Sequence, residues 1–372
     1  MPSKYISMSD SFNFKISPGI EDLKPYLTGK AKSTLERELK IFNSIKLASN
    51  ENPLGMSPLA VKAIKGEISD LSRYPDGNAY SLREKIMERH SVNANQITIG
   101  NGSNDVLDMI AKVFLYPMRE SIFSQHSFAV YYLSSMSAGA TLKIAKAKEY
   151  GNDLDEMLRL VNKNTGVIWI ANPNNPTGTW LTRAALFDFI KKIPKDVVVV
   201  VDEAYFEYVL EDEYPDSSLW VNDFPNLIVT RSFSKAFGLA SLRIGYGLSS
   251  PKITDLLNRV RQPFNCNSFA QAAATASLGD HEFIEKSVIL NKNGLLQLTD
   301  GFKKLGLEFI PSVGNFLTIK IGEKVNEIND GLQKEGIITR PVDNYGLKGF
   351  LRVSVGLQEE NAKFLRSLEK VL

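Results

Sequence analysis

Four short apolar runs in this sequence each end in side chains able to do chemistry. The run 96–99 leads into Gly100-Asn-Gly-Ser-Asn104. With Ser103 and Asn104 opening a helix, the free backbone N–H groups there suit a phosphate, although a glycine turn with an ordinary helix cap has the same composition. The run 167–170 leads into Asn172-Pro-Asn-Asn-Pro-Thr-Gly178. Asn175, restricted by the following proline, can present a carboxamide donor; Asn-Pro pairs also make plain turns. Five consecutive valines, 197–201, deliver Asp202. A carboxylate at that depth needs a ligand, a cap or an ion pair, because an unpaired buried charge is costly. Tyr205, three residues on, can lie beside it. The run 227–230 ends in Arg231-Ser-Phe-Ser-Lys235, with Arg243 eight residues further. A lysine just past a buried strand can have its pKa lowered and become a nucleophile. Ser232, Ser234 and Arg243 are suitable phosphate ligands.

As a set these residues point to one chemistry. A phosphate cradle, an acid for a pyridinium proton, a donor for a ring oxygen and a reactive lysine are what a pyridoxal 5'-phosphate site requires. The carboxylate keeps the ring an electron sink, and the lysine carries the cofactor and moves protons as general acid and base.

The elements that must position the set are legible in outline. Continuous β-branched runs suit strands buried on both faces, and helical patterns between them imply right-handed crossovers and a mostly parallel α/β sheet. Strands end where ligands bind in such sheets. Helices are expected over 106–114, 182–192, 252–261 and 270–278. Strands at 316–321 and 351–355 with helices between read as a smaller α+β unit. The expected partition is an arm at 1–45 that joins the small domain or a dimer contact, a large cofactor domain at 46–265 and a small domain at 266–372.

Composition narrows the function classes. The chain has 372 residues, 43% hydrophobic and 23% charged, with 44 Lys+Arg against 42 Asp+Glu, a net charge of +2. That balance gives no reason to expect nucleic acid or a membrane surface as partner. The single cysteine, Cys266, excludes an internal disulfide and suits a reducing compartment. The three histidines, His90, His126 and His281, have no local metal spacing. No apolar stretch approaches the roughly 18 residues of a membrane span, and the first residues lack a secretory apolar core. A cytoplasmic protein without metal is expected.

Asn172-Pro-Asn-Asn-Pro-Thr-Gly178, Asp202-Glu-Ala-Tyr205 and Ser232-Phe-Ser-Lys-Ala-Phe-Gly-Leu-Ala-Ser-Leu-Arg243 resemble the signature set of fold-type-I aminotransferases. Within these the chain is most similar to the histidinol-phosphate aminotransferase family. Leu47-Ala-Ser-Asn-Glu-Asn-Pro-Leu-Gly55, Arg73-Tyr-Pro-Asp-Gly77, the segment Phe123–Tyr131, the segment Ile338–Tyr345 and Leu351-Arg-Val-Ser-Val-Gly356 carry the resemblance from about residue 47 to the end. It implies a large domain on a mostly parallel, seven-stranded sheet flanked by helices, a smaller α+β domain, and a homodimer.

By this resemblance Lys235 is the Schiff-base lysine and Asp202 the pyridinium partner. Tyr205 and Asn175 bond the phenolic oxygen, and Phe128 stacks on the ring. Ser103, Asn104, Ser232, Ser234 and Arg243 hold the phosphate, joined by Tyr74 from the neighbouring subunit. Arg352 grips the α-carboxylate, while Arg340 and Tyr26 serve the substrate's phosphate. The implied reaction is transamination of L-histidinol phosphate with 2-oxoglutarate. An aromatic-amino-acid aminotransferase or a threonine-phosphate decarboxylase on the same scaffold is the alternative. A non-catalytic sensor fused to a DNA-binding domain is disfavoured, because fewer than 50 residues precede the catalytic-type segment, without a helix-turn-helix pattern.

Overall fold

A computed structural model describes residues 15–25 and 29–372, so Tyr26 lies outside the described residues. Its strands in chain order are β1 (Ile45–Lys46), β2 (Ile97–Gly100), β3 (Glu120–Ser124), β4 (Thr141–Ala145), β5 (Thr165–Ala171), β6 (Val198–Asp202) and β7 (Leu227–Ser232). There follow β8 (Gly245–Ser249), β9 (Phe309–Ile310), β10 (Phe316–Lys320), β11 (Ile337–Ile338), β12 (Arg340–Pro341) and β13 (Phe350–Ser354).

The main sheet has seven strands in the order β2-β8-β7-β6-β5-β3-β4. Every neighbouring pair is parallel except those of β8, which runs antiparallel to both β2 and β7. This is the mostly parallel sheet the sequence leads one to expect. Strands β3, β4 and β8 are harder to read, because serines, lysine and two glycines interrupt their apolar character.

Every residue of β5, β6 and β7 is buried, and alternation sends them to opposite cores. Ile168, Ile170, Val199, Val201 and Val229 pack on one face with Ile86, Leu186 and Phe189. Val167, Trp169, Val198, Val200 and Ile228 pack on the other with Val106, Ile110 and Leu257. Register matters more for function. Ala171 pairs with Asp202, and Asp202 with Thr230, so three adjacent strands end level.

A four-stranded antiparallel sheet, β12-β13-β10-β9, forms the second unit. Leu298, Phe302, Leu332, Phe364 and Leu368 of its helices pack on Leu317, Ile319, Leu351 and Val353. β1 pairs in parallel with β11 there. The packing of the large unit runs past the expected boundary at 265. In the helix Ser268–Leu278, the small residues Ala270, Ala273 and Ala274 join the first core beside Ala60 of the helix Pro58–Glu67, where short side chains allow close approach.

Just beyond the level strand ends, Glu203 and Arg231 point to the face away from Asp202. Arg231 is fully buried, with Nη2 2.6 Å from Glu203 and 2.8 Å from Asp216, and its guanidinium lies 3.4 Å from the Phe206 ring centre. Burial pushes the Glu203 carboxyl up, and the guanidinium opposes it. This pair ties the end of β6 to β7. Removing one partner strands a buried charge, so Arg231→Ala is expected to lower unfolding free energy by about 3–5 kcal/mol, read by urea denaturation; an unchanged midpoint would contradict the clamp.

Candidate active site

A cavity of about 240 Å³ opens at the carboxyl ends of β5, β6 and β7. Ser103, Asn104, Phe128, Asn175, Asp202, Tyr205, Ser232, Ser234, Lys235 and Arg243 all line it. The structure thus gathers, in one place, ten of the fourteen residues singled out from the sequence.

Its phosphate end is built from glycines. Gly102 (φ +83°) caps the helix Ser103–Phe114. A Cβ on Gly102 would meet Arg243 Nη2 at 2.4 Å, and one on Gly245 would meet the Ser103 nitrogen at 2.4 Å. Antiparallel β8 brings Gly245 level with both Gly100 and Ser232, so the helix N-terminus settles directly over the sheet. Ser232 Oγ accepts the Ser234 N–H at 3.1 Å, and Arg243 Nη1 lies 3.4 Å from Ser234 Oγ. Backbone donors, two hydroxyls and a guanidinium with room left by missing side chains suit a phosphate dianion.

Asp202 lies at the floor, 6% exposed. Tyr131 donates to its Oδ2 at 2.9 Å and Thr230 to its Oδ1 at 3.0 Å. Burial pushes the carboxyl up; Tyr131, Thr230, the Ala204 N–H and the Lys235 charge pull it back. Lys235 is partly buried, its Nζ 3.3 Å from the Ser49 carbonyl and 5.6 Å from the Tyr205 ring centre. Burial and then the charge of Arg352 bring its amine down to about 8, against the opposing pull of Glu51.

Two contacts orient the donors. Arg352 Nη1 donates to Asn175 Oδ1 at 2.5 Å, which turns the Asn175 amino group the other way. Asn50 Nδ2 donates to the Tyr205 hydroxyl at 2.9 Å. Arg352 Nη2 also bonds the Ala48 carbonyl at 2.7 Å, and its buried Nε has no partner. The guanidinium is therefore held beside the cavity with bonding capacity in reserve.

Two of the remaining residues fall elsewhere. Arg340 stands opposite Arg352 in the β12–β13 pair and lines a second cavity of about 630 Å³, with Asp22, Lys24, Pro25, Tyr132 and Asp343. Tyr74, 81% exposed, stacks on Phe264 at 4.7 Å and lies away from its own chain's cavity. Tyr26 is outside the described residues, directly after the Lys24-Pro25 edge of the second cavity. Sequence reasoning gave no role to Ser49, Asn50, Glu51, Tyr131 or Thr230. Tyr131 was detectable, since it follows Phe128 at helical spacing; Thr230 was detectable as the residue level with Asp202 on the next strand.

Residues 43–368 match the profile of the aminotransferase class I and II family. The chain belongs to this family. It is 50% identical over 367 residues to histidinol-phosphate aminotransferase 2 of Pseudomonas fluorescens, covering 98% of this chain and 99% of that one. It is 51% identical over the same shares to the Pseudomonas aeruginosa protein of that name. The crystal structure of histidinol-phosphate aminotransferase from Sinorhizobium meliloti, in complex with pyridoxal-5'-phosphate, superposes with a TM-score of 0.88 at 26% identity over 98% and 99% of the two chains.

The aminotransferase uses pyridoxal phosphate, and the cavity fits that group. The glycine cradle accepts its phosphate, the buried acid suits its ring nitrogen, and a lysine amine of lowered pKa suits its aldehyde. No helix of the described residues is long and apolar enough to cross a membrane.

Two outcomes check this geometry. Gly245→Ala is expected to weaken pyridoxal phosphate binding at least about tenfold, because one Cβ displaces the cradle's N–H donors, measured by titration of the cofactor-free protein. The unprotonated amine is the nucleophile, so imine formation by the cofactor-free protein with pyridoxal should rise as pH climbs through about 8 and then level off. A midpoint near the ordinary lysine value of 10.5 would contradict the site's electrostatics.

Proposed function

We propose that this aminotransferase exchanges an amino group between L-histidinol phosphate and 2-oxoglutarate, giving imidazole-acetol phosphate and L-glutamate in histidine biosynthesis. The observation that carries the chemistry is the Lys235 amine, lowered to about 8, in a cavity floored by Asp202. The choice of substrate rests on the 50% identity with the Pseudomonas enzymes over nearly the whole chain.

Each residue then has a task. Lys235 Nζ holds the cofactor between turnovers and, uncharged, takes the proton from the substrate's Cα. Bound here, pyridoxal phosphate supplies an aldehyde for the amino group and a ring that withdraws electrons from Cα. Asp202 retains the proton on the ring nitrogen. Asn175 and Tyr205 would donate to the ring's phenolic oxygen, and Phe128 would pack against the ring. Ser103, Asn104, Ser232, Ser234 and Arg243 hold the phosphate. Arg352 takes the α-carboxylate of the amino and oxo acids with its planar fork. The second cavity, with Arg340 and the segment leading to Tyr26, receives the substrate's own phosphate.

The working form we propose is a cytoplasmic homodimer. Tyr74 supports this: it is 81% exposed and away from its own chain's cavity, as the resemblance's role for it on the neighbouring subunit's phosphate requires. We also propose that the large unit binds the cofactor, while the unit after it supplies Arg340 and Arg352.

Lys235→Ala should abolish transamination and the imine absorbance together; covalent cofactor in that variant would overturn the assignment. kcat/KM should favour histidinol phosphate over phenylalanine and threonine phosphate, and a tenfold preference for phenylalanine would refute the substrate. Arg352→Lys loses the bidentate fork and should lower kcat/KM for 2-oxoglutarate about a hundredfold. Mixed dimers of Tyr74→Ala and Lys235→Ala chains should keep one intact site; inactivity equal to both parents would refute the shared phosphate contact.

A further inference from the structure

Phe128 caps the helix Ala129–Ser137, and Tyr131 follows three residues later on the same side. Phe128 reaches the cavity, whereas Tyr131 lies beneath it, fully buried. The Tyr131 ring stacks on Trp169 with centroids 5.4 Å apart and planes 8° apart, and meets Phe128 edge-on at 5.9 Å. Phenylalanine would fill that slot equally well. What tyrosine adds is a hydroxyl, which is costly there unless bonded. Its partner is Asp202 Oδ2 at 2.9 Å, while Thr230 takes Oδ1 at 3.0 Å.

We propose that Tyr131 is a positioning residue for transamination, acting with Thr230 through Asp202 to keep that carboxylate charged and aimed at the cofactor's ring nitrogen. This rests on the role given to Asp202 above.

The two donors are neutral. They stabilise the negative charge without cancelling it, in contrast to Glu203 one residue on, which meets a guanidinium. A carboxylate that is to hold a protonated ring nitrogen must keep its charge for that nitrogen. Tyr131 keeps its proton to donate to Asp202, because burial and the adjacent carboxylate hold its phenol well above the usual tyrosine value. Its ring is also fixed in place. The stacked Trp169 donates its indole N–H to Ser121 Oγ at 2.8 Å, and Ser121 shares a hydrogen bond with Ser135 at 2.7 Å. A chain of contacts from β3, β5 and the helix thus sets where the phenolic oxygen lies.

The test uses holoenzyme carrying pyridoxal phosphate labelled with nitrogen-15 in the ring, for Tyr131→Phe, Asp202→Asn and the double variant. In Tyr131→Phe the ring-nitrogen resonance should move from the protonated toward the unprotonated position. Its kcat should fall about tenfold, as for a hydrogen bond to a charged group, with both KM values within about twofold. In the Asp202→Asn background the same substitution should cost nothing further. An unmoved resonance, or an equal kcat loss in both backgrounds, would overturn the proposal. Thr230→Val removes the other donor and leaves the stack intact. Should Tyr131→Phe fail to fold, Thr230→Val must move the resonance in the same direction, and an unmoved signal overturns the idea. If Asp202→Asn alone changes neither resonance nor kcat, the role of Asp202 falls first, and this proposal with it.

Discussion

A carboxylate at the end of five valines, only 6% exposed, has to be solvated largely by the protein, and burying an ion costs several kcal/mol unless other groups replace its hydration. Much of the large unit follows from meeting that need at Asp202. The parallel register sets Thr230 beside it on β7. The helix after β3 delivers Tyr131 from below. Glu203 emerges on the opposite face and is met differently, by the charge of Arg231. Adjacent acids thus receive opposite treatment. One is neutralised and becomes a structural tie; the other keeps its charge in a place where a cation can use it.

The anion end depends on what is missing rather than on what is present. A helix N-terminus can approach the sheet only because Gly100, Gly102 and Gly245 carry no Cβ. β8 runs against its neighbours, and that reversal sets one of these glycines between β2 and β7. The exposed Arg243, in the left-handed backbone region at φ +58°, leans on Gly102 and closes the cradle from the solvent side.

Much of this was legible in the sequence because chemistry and strand ends coincide in it. Runs of valine and isoleucine identify β5, β6 and β7, and the residues just after them are those that converge. Less legible were groups whose task depends on a neighbour in space. Ser49 and Asn50 act through a carbonyl and an amide, which leave no mark in composition. The antiparallel β8, rich in glycine, does not look like a strand at all. The helix Ser268–Leu278 falls past the expected boundary because its alanines suit either unit, and only the small face of the helix Pro58–Glu67 decides.

The segment 47–52 runs along the seam between the two units. Leu47 and Asn50 bond Ser354, Ala48 bonds Arg352, Asn315 bonds Asn50, and Ser49 bonds Lys235. These contacts join positions some 300 residues apart in sequence. During synthesis, then, the ribosome makes one wall of the pocket some 300 residues before its counterpart. The strip around Ser49 must wait for β13 before its bonds to Arg352 and Ser354 can form. Long-range closure of this kind is slow, since the chain loses loop entropy before the contacts form. Lys235 finds its final surroundings only once β13 has been made, so a nascent chain halted before β13 would expose an unfinished, aggregation-prone edge where the folded enzyme has its pocket.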